Sequence, residues 1–196
     1  MEQMDKRVFI TFAAGEQYEK LADVLKSAID SFSQYKLIIY KPEDFDIELK
    51  PEEWKTSYVY IYKVLSCLKA LGSYEEVVWL DNDCLPTKDI DKIWNYQVEN
   101  YPLLPKERFN NFEVWPNTKP NYQDPEFLRG AKERIGVVET DFENSYHQAC
   151  CMLFNKNCLD FFFEVLLHYQ NFDSSVYPYG DESIINCMIW RGKYKK

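Results

Sequence analysis

Glu75–Trp94, EEVVWLDNDCLPTKDIDKIW, is the stretch around which the rest of the chain is read. Val77–Leu80 is an unbroken apolar run of β-branched and aromatic residues, the pattern of a strand covered on both faces. It stops at Asp81-Asn82-Asp83, and Pro86 prevents easy continuation of a sheet ladder. In extended chain alternate side chains share a side, so Asp81 and Asp83 are expected to face one site while Asn82 turns away. Two carboxylates held that close repel one another unless a cation or hydrogen-bond donors neutralise them. A hard divalent ion with oxygen ligands, Mn²⁺ or Mg²⁺, meets that need and commonly shares its shell with phosphate oxygens. A solvated, turn-capping Asp-x-Asp is the plain structural alternative.

Upstream, Arg7–Ala13 reads as a first strand, ended by Ala14-Gly15. Glu16–Phe32 places Tyr18, Leu21, Leu25, Ile29 and Phe32 on one helical stripe, and Tyr35–Tyr40 is a second strand stopped at Lys41-Pro42. Strand, helix and strand at this separation make a βαβ unit with parallel strands and a right-handed crossover. After an acidic loop from Pro42 to Pro51, Trp54–Leu71 is expected as a second helix capped by Gly72. It leads into the strand that ends at Asp81, a second crossover. Ligands of open α/β sheets settle at the carboxyl ends of strands, so the Thr11–Gly15 loop and the acidic turn are expected at the same sheet edge. No G-x-G-x-x-G and no P-loop pattern occurs, so a dinucleotide site of that kind is not indicated. Lys63 either extends its charge to solvent or faces phosphate or sugar hydroxyls.

Downstream, Asp89–Trp94 is expected as a short helix or turn that packs its Ile and Trp on the sheet. Residues 95–144 are broken by Pro102, Pro105, Pro116, Pro120 and Pro125, and a long irregular insertion of that kind suits a lid or substrate-binding loop. His147–Phe154 reads as a strand, and Asn157–Tyr169 as a helix with Leu159, Phe162, Phe163, Leu166 and Leu167 on its apolar face. Asp181 and Glu182 stand at a loop-to-helix start. There one acid serves as a cap or first-turn charge, or else projects into a cleft as a base or hydroxyl acceptor.

With 196 residues, 46% of them hydrophobic and 17% aromatic, the chain is expected to build one globular core. The formal charge of −9 argues against a nucleic-acid backbone as partner, because polyanions call for clustered Lys and Arg. An anionic nucleotide remains compatible if a metal supplies the positive charge. No export-type segment precedes Val8 and no apolar run is long enough to span a bilayer, which predicts a cytoplasmic protein. The six cysteines form no C-x-x-C pair and are expected to be reduced thiols.

Taken together, these segments resemble the nucleotide-sugar-dependent glycosyltransferases of the GT-A fold. The likeness is to the glycogenin and lipopolysaccharide galactosyltransferase type and to small transferases of surface-glycan biosynthesis. Tyr62-Lys63-Val64-Leu65 is similar to the Tyr-Arg/Lys helix that precedes the metal motif. Val77–Trp94 is similar to the apolar strand with its Asp-x-Asp and the Asp-Ile/Leu-x-x-Leu/Ile-Trp that follows. His147–Asn155 stands in the place of the strand lining the acceptor side, and Gly180–Asn186 is similar to an Asp-Gln-Asp-x-x-Asn segment.

The resemblance implies a single α/β GT-A (Rossmann-like) domain over residues 1–196, with a mainly parallel central sheet flanked by helices. Residues 1–94 would form the nucleotide- and metal-binding half, and residues 95–196, with the loop 95–144, the acceptor-binding half. It implies metal-dependent hexosyl or deoxyhexosyl transfer from a nucleotide-diphosphate sugar to a saccharide hydroxyl. Asp83 would ligate the metal and Asp81 the metal or the ribose. Thr11, Ala13, Tyr18, Lys63 and Asn82 would surround the donor, and His147 and Gln148 would lie on the acceptor side. In an inverting reaction Asp181, or failing that Glu182, would take the acceptor's proton.

This sequence departs from the pattern in having Asp181-Glu182-Ser183, so retention is not implied. It also has no histidine after His168 to act as a C-terminal metal ligand. Two expectations follow: water and diphosphate complete the metal shell, or the chain is one module of a larger glycosyltransferase. A sugar nucleotidyltransferase and a non-catalytic carbohydrate-binding module are the alternatives. The first lacks its basic residue in Phe12–Gly15, and the second leaves the clustered acids unexplained.

Overall fold

A computed structural model of the chain describes residues 6–105, 129, 131–137, 147–170, 172–173, 177 and 180–192. Four strands, β1 (Arg7–Phe12), β2 (Leu37–Tyr40), β3 (Glu76–Leu80) and β4 (Cys151–Asn155), form one sheet in the order β2-β1-β3-β4. The first three are parallel, with Phe9 opposite Leu37 and Val78, while β4 runs antiparallel to β3 with Leu80 opposite Cys151. The helices are α1 (Glu16–Phe32), α2 (Ile61–Leu71), α3 (Leu159–Tyr169) and α4 (Asp181–Arg191). This is the expected α/β architecture, a mostly parallel open sheet flanked by helices. No helix among the described residues is long and apolar enough to cross a membrane.

The chain divides into two compact units: residues 1–48, 62–103 and 150–163 make the first, and residues 49–61, 104–149 and 164–196 the second. In the first unit the pleat of the strands decides what packs where. Phe9, Val78, Leu80, Leu37 and Leu153 share one face with Leu25 and Ile29 of α1 and with Trp94. On the opposite face Phe12 stacks on Tyr62 of α2 at 4.7 Å, and Phe154 meets Phe162 of α3 edge-on at 4.8 Å. Trp94, at the end of the Asp89–Trp94 segment, packs as expected. Its ring stands edge-on to Phe9 at 5.1 Å and to Tyr35 at 5.4 Å. The crossover enters α1 through Gly15, whose φ of 84° is open to glycine and strained for other residues.

Four expectations are corrected. The helix expected over Trp54–Leu71 is an α-helix only from Ile61; Glu53–Lys55 and Ser57–Tyr60 are separate 3₁₀ turns. Extended Thr56 interrupts them, and its hydroxyl accepts from the Tyr58 N–H and so starts a new turn. On α1 the buried stripe is Ala22, Leu25 and Ile29, while Tyr18, Leu21 and Phe32 are exposed. On α3 the buried residues are Phe161, Phe162, Val165 and Tyr169, a stripe one position out of phase with the expected one; Phe163 and Leu167 are exposed. β4 begins at Cys151 rather than His147; before it, the His147 and Ala149 N–H groups are held by side chains of α4. Of the irregular stretch 95–144, residues 138–144 and most of 106–130 lie outside the described residues. Its described part contains a bridge from Leu103 to Leu153 and a π-turn at Ala131–Ile135.

In the second unit an aromatic cluster of Tyr58, Tyr169 and Phe172 includes a stacked pair 5.1 Å apart. Arg191 closes α4 against Glu164 at 2.6 Å and donates to the Ile135 carbonyl. Half-buried His168 has its pKa lowered, by burial first and by Arg191, against the pull of Glu164. The folded chain therefore binds fewer protons there than the unfolded one. Its stabilising contribution is complete above about pH 6.5 and is lost as pH falls through that value toward the folded pKa.

Two measurements follow. Trp94→Ala should cost about 3–5 kcal/mol in urea unfolding, whereas Tyr96→Ala, at a position 65% exposed, should stay within about 0.5 kcal/mol. His168→Gln should flatten the fall in stability below about pH 6.5 in the same assay.

Candidate functional site at the end of β3

Trp79 of β3 and Asp81, the residue just past its end, lie two apart and so project to one face, the face covered by α2. Lys63, in the first turns of α2, meets them there. Its ammonium is 3.2 Å from Asp81 Oδ1 and 5.4 Å from the centre of the Trp79 ring. Trp79 Nε1–H donates to the same Oδ1 at 2.6 Å. Lys63 is only 8% exposed, so it neither reaches into solvent nor stands as a loose cation; it is the counter-ion of Asp81. An indole face beneath the ammonium adds a cation–π attraction.

Asn82 projects the other way, to the end of β1. Thr11 Oγ1–H donates to Asn82 Oδ1 at 2.7 Å, and Asn82 Nδ2–H donates to the Phe12 carbonyl at 2.9 Å. Both polar ends of the amide therefore tie β3 to β1 where the two parallel strands stop. The acidic turn and the Thr11 loop do share a sheet edge. Extended geometry, however, ends at Asp81: the Cys84 N–H bonds the Asp81 carbonyl at 2.9 Å and closes a tight turn over Asp81–Cys84. That turn, rather than strand alternation, carries Asp83 into solvent as an exposed carboxylate.

The remaining donor-side candidates serve the framework or stand apart. Thr11 is fully buried. So is Ala13, whose N–H is bonded to the Tyr40 carbonyl at 2.9 Å. Tyr18 is 55% exposed on α1.

The acceptor-side candidates lie in the second unit. Gly180, with φ 55°, precedes α4 and caps it without any side chain, so neither acid is the N-cap. Asp181 is 2% exposed, and its charge adds to burial in raising the Tyr169 phenol well above its ordinary pKa. Glu182 Oε2 accepts from the Ala149 N–H at 2.9 Å. Asn186, one turn on, accepts from the His147 N–H and donates to the His147 carbonyl, both at 2.8 Å. Glu182 and Asn186 thus brace the segment of His147 and Gln148 against α4. Their i, i+4 spacing was the available sequence signal for that brace, as the i, i+2 spacing was for Trp79 and Asp81.

Among the described residues no three His, Cys, Asp or Glu side chains come together to hold a metal ion. The described residues therefore do not fit an ion caged by protein alone. They do fit one that takes one or two carboxylate oxygens and completes its shell with phosphate and water. Asp83 is the exposed member of the pair, and Asp81 has one oxygen occupied by two N–H donors.

No family model matches the sequence, and no curated protein matches it. Its fold does match solved glycosyltransferases. The galactosyltransferase LgtC, in complex with donor and acceptor sugar analogues, aligns with a TM-score of 0.60 at 14% identity, over 92% of this chain and 70% of that one. WbbM, a bifunctional glycosyltransferase solved in its apo form, aligns at 0.62 and 13% identity, over 95% of this chain and 37% of that one. A glycosyltransferase involved in glycosylation of the major capsid of PBCV-1 aligns at 0.51 and 11% identity, over 91% and 74%. The fold is accordingly that of a GT-A-type glycosyltransferase.

Removal of the Asn82 amide separates its structural part from the acid's. Asn82→Ala should cost about 1–3 kcal/mol in chemical unfolding by orphaning groups at the end of β1, while Asp83→Ala should change stability by no more than about 0.5 kcal/mol.

Proposed function

We propose that the protein is a glycosyltransferase that moves a hexosyl or deoxyhexosyl group from a nucleotide-diphosphate donor to a saccharide hydroxyl, with Mn²⁺ or Mg²⁺ at Asp83. The observation that carries this reading is the exposed Asp83 carboxylate, lifted by a hydrogen-bonded turn at the carboxyl end of a central parallel strand in this fold. Such strand ends are where ligands of open α/β sheets settle. A bound divalent ion there would stabilise negative charge on the leaving diphosphate.

The chain's own residues do the rest. Lys63 and the Trp79 indole hold Asp81 Oδ1 in one orientation, leaving its second oxygen for the ion or for the ribose. Asn82 keeps the β1 and β3 ends together so that the turn has a firm base. In the half of the chain proposed for the acceptor, Asp181 is the base that takes the hydroxyl proton of an inverting reaction. Glu182, whose carboxylate accepts from the Ala149 N–H, is the second candidate.

Titration calorimetry with UDP and GDP, with and without Mn²⁺, tests the class. A transferase of this kind should bind a diphosphate nucleotide only with metal; a sugar-binding module should show no metal-dependent nucleotide affinity, and a nucleotidyltransferase should prefer triphosphates. Asp83→Ala should reduce metal-dependent donor hydrolysis by at least about a hundredfold with the fold intact. Asp181→Asn should slow transfer by about 10²–10⁴-fold while donor affinity stays nearly unchanged; unaltered turnover in Asp83→Ala would remove the metal assignment.

A further inference from the structure

Two cysteines meet at the same turn. The backbone N–H and C=O of an extended residue project to one edge of its strand, where an antiparallel neighbour normally takes both. At Asp81 the two are divided: its N–H donates to the Cys150 carbonyl at 2.8 Å, and its C=O accepts from the Cys84 N–H at 2.9 Å. The turn over Asp81–Cys84 thus folds Cys84 back onto the place where Cys150, the residue before β4, would have paired. Both residues are partly exposed. Asp81 is thus bonded through its backbone to both cysteines, the side-chain interaction with Cys150 and burial push the Cys84 thiol pKa up, and the Cys84 Sγ lies 3.9 Å from Asp83 Oδ1. Cys67, Cys158 and Cys187, by contrast, are buried.

We propose that Cys84 and Cys150 are a redox modification site, closing to a disulfide that reports oxidation to the Asp81–Asp83 turn. The oxidant is a peroxide. One thiol attacks the O–O bond to give a sulfenic acid and water, and the second thiol then displaces the sulfenic hydroxyl as another water. The two sulfurs lose two electrons in all, the peroxide gains them, and the two thiol protons leave in the two waters. The new bond ties the turn to the start of β4 and removes the thiol beside Asp83. The site itself stands apart from the transferase reading; its effect on metal and nucleotide rests on that reading.

The test uses the full chain, reduced, desalted and treated with hydrogen peroxide, then alkylated under denaturing conditions and mapped by mass spectrometry. All six cysteines of the chain are free before treatment. After treatment four should alkylate, the intact mass should fall by two hydrogens, and one peptide pair should join Cys84 to Cys150, reversibly with dithiothreitol. Cys84→Ser and Cys150→Ser should each abolish that link and leave a sulfenic acid, trapped by dimedone, on the surviving partner. Oxidation should also weaken Mn²⁺-dependent UDP binding about tenfold in the unmutated chain, as loss of a group touching a metal ligand commonly does, and leave Cys84→Ser unaffected. A Cys150–Cys151 link, random pairing, or six alkylated cysteines after treatment would overturn the site. The correct link with unchanged nucleotide binding would overturn only its effect on the turn. No metal-dependent binding even in the reduced chain would instead count against the transferase reading.

Discussion

Lys63 is a lysine only 8% exposed, and the organisation of the β3 end follows from where its counter-charge comes from. Removing one partner from such a pair strands the other, which is far worse than never having built it. Asp81 is therefore part of the framework before it is part of any site. It locks α2 to β3 through Lys63 at 3.2 Å and keeps the Trp79 Nε1–H satisfied. Trp79 in turn covers the ammonium with its ring, so that three residues from two elements stand or fall together. Asp83 carries none of this. The two acids of the motif are split into an anchor and an exposed charge, although in sequence they look equivalent.

How much of this was legible depends on the kind of signal. The parallel βαβ units were readable because apolar runs of strand length alternate with 3.6-period stripes, and the sheet order places β1 between β2 and β3 as two crossovers require. The phase of a stripe was not readable on helices with more apolar residues than one face can hold: α1 buries Ala22 in preference to the larger Tyr18 and Leu21. The Trp54–Leu71 pattern is helical throughout by periodicity, and only Thr56, a residue able to cap locally, distinguished turns from helix. Within the site, position along the strand predicted which way Asp81 and Asn82 point. What ended the strand after Asp81 was a backbone bond to Cys84, and side-chain patterns carry no trace of it.

The same limit explains the second unit. Asp181 and Glu182 were expected to compete for one role, as cap or as base. Glycine with positive φ takes the cap, Asp181 is buried beside Tyr169, and Glu182 reaches the Ala149 N–H. Adjacent residues on a helix are about 100° apart, so two neighbouring acids in the first turn cannot serve one target. Glu182 and Asn186, one turn apart, share a face and brace the chain at His147 and Ala149.

Charge then limits what the β3 end can bind. The chain carries −9 overall, and a nucleotide diphosphate brings more negative charge to a strand end that already holds two carboxylates. Lys63 is bonded to one of those carboxylates, so its field is partly cancelled at any distance beyond the pair. An anion approaching Asp83 would meet net repulsion unless a mobile cation came with it. In the proposed function a donor that arrives as a metal complex removes that repulsion, and the need for one follows from Lys63 being engaged with Asp81 as much as from Asp83 being exposed.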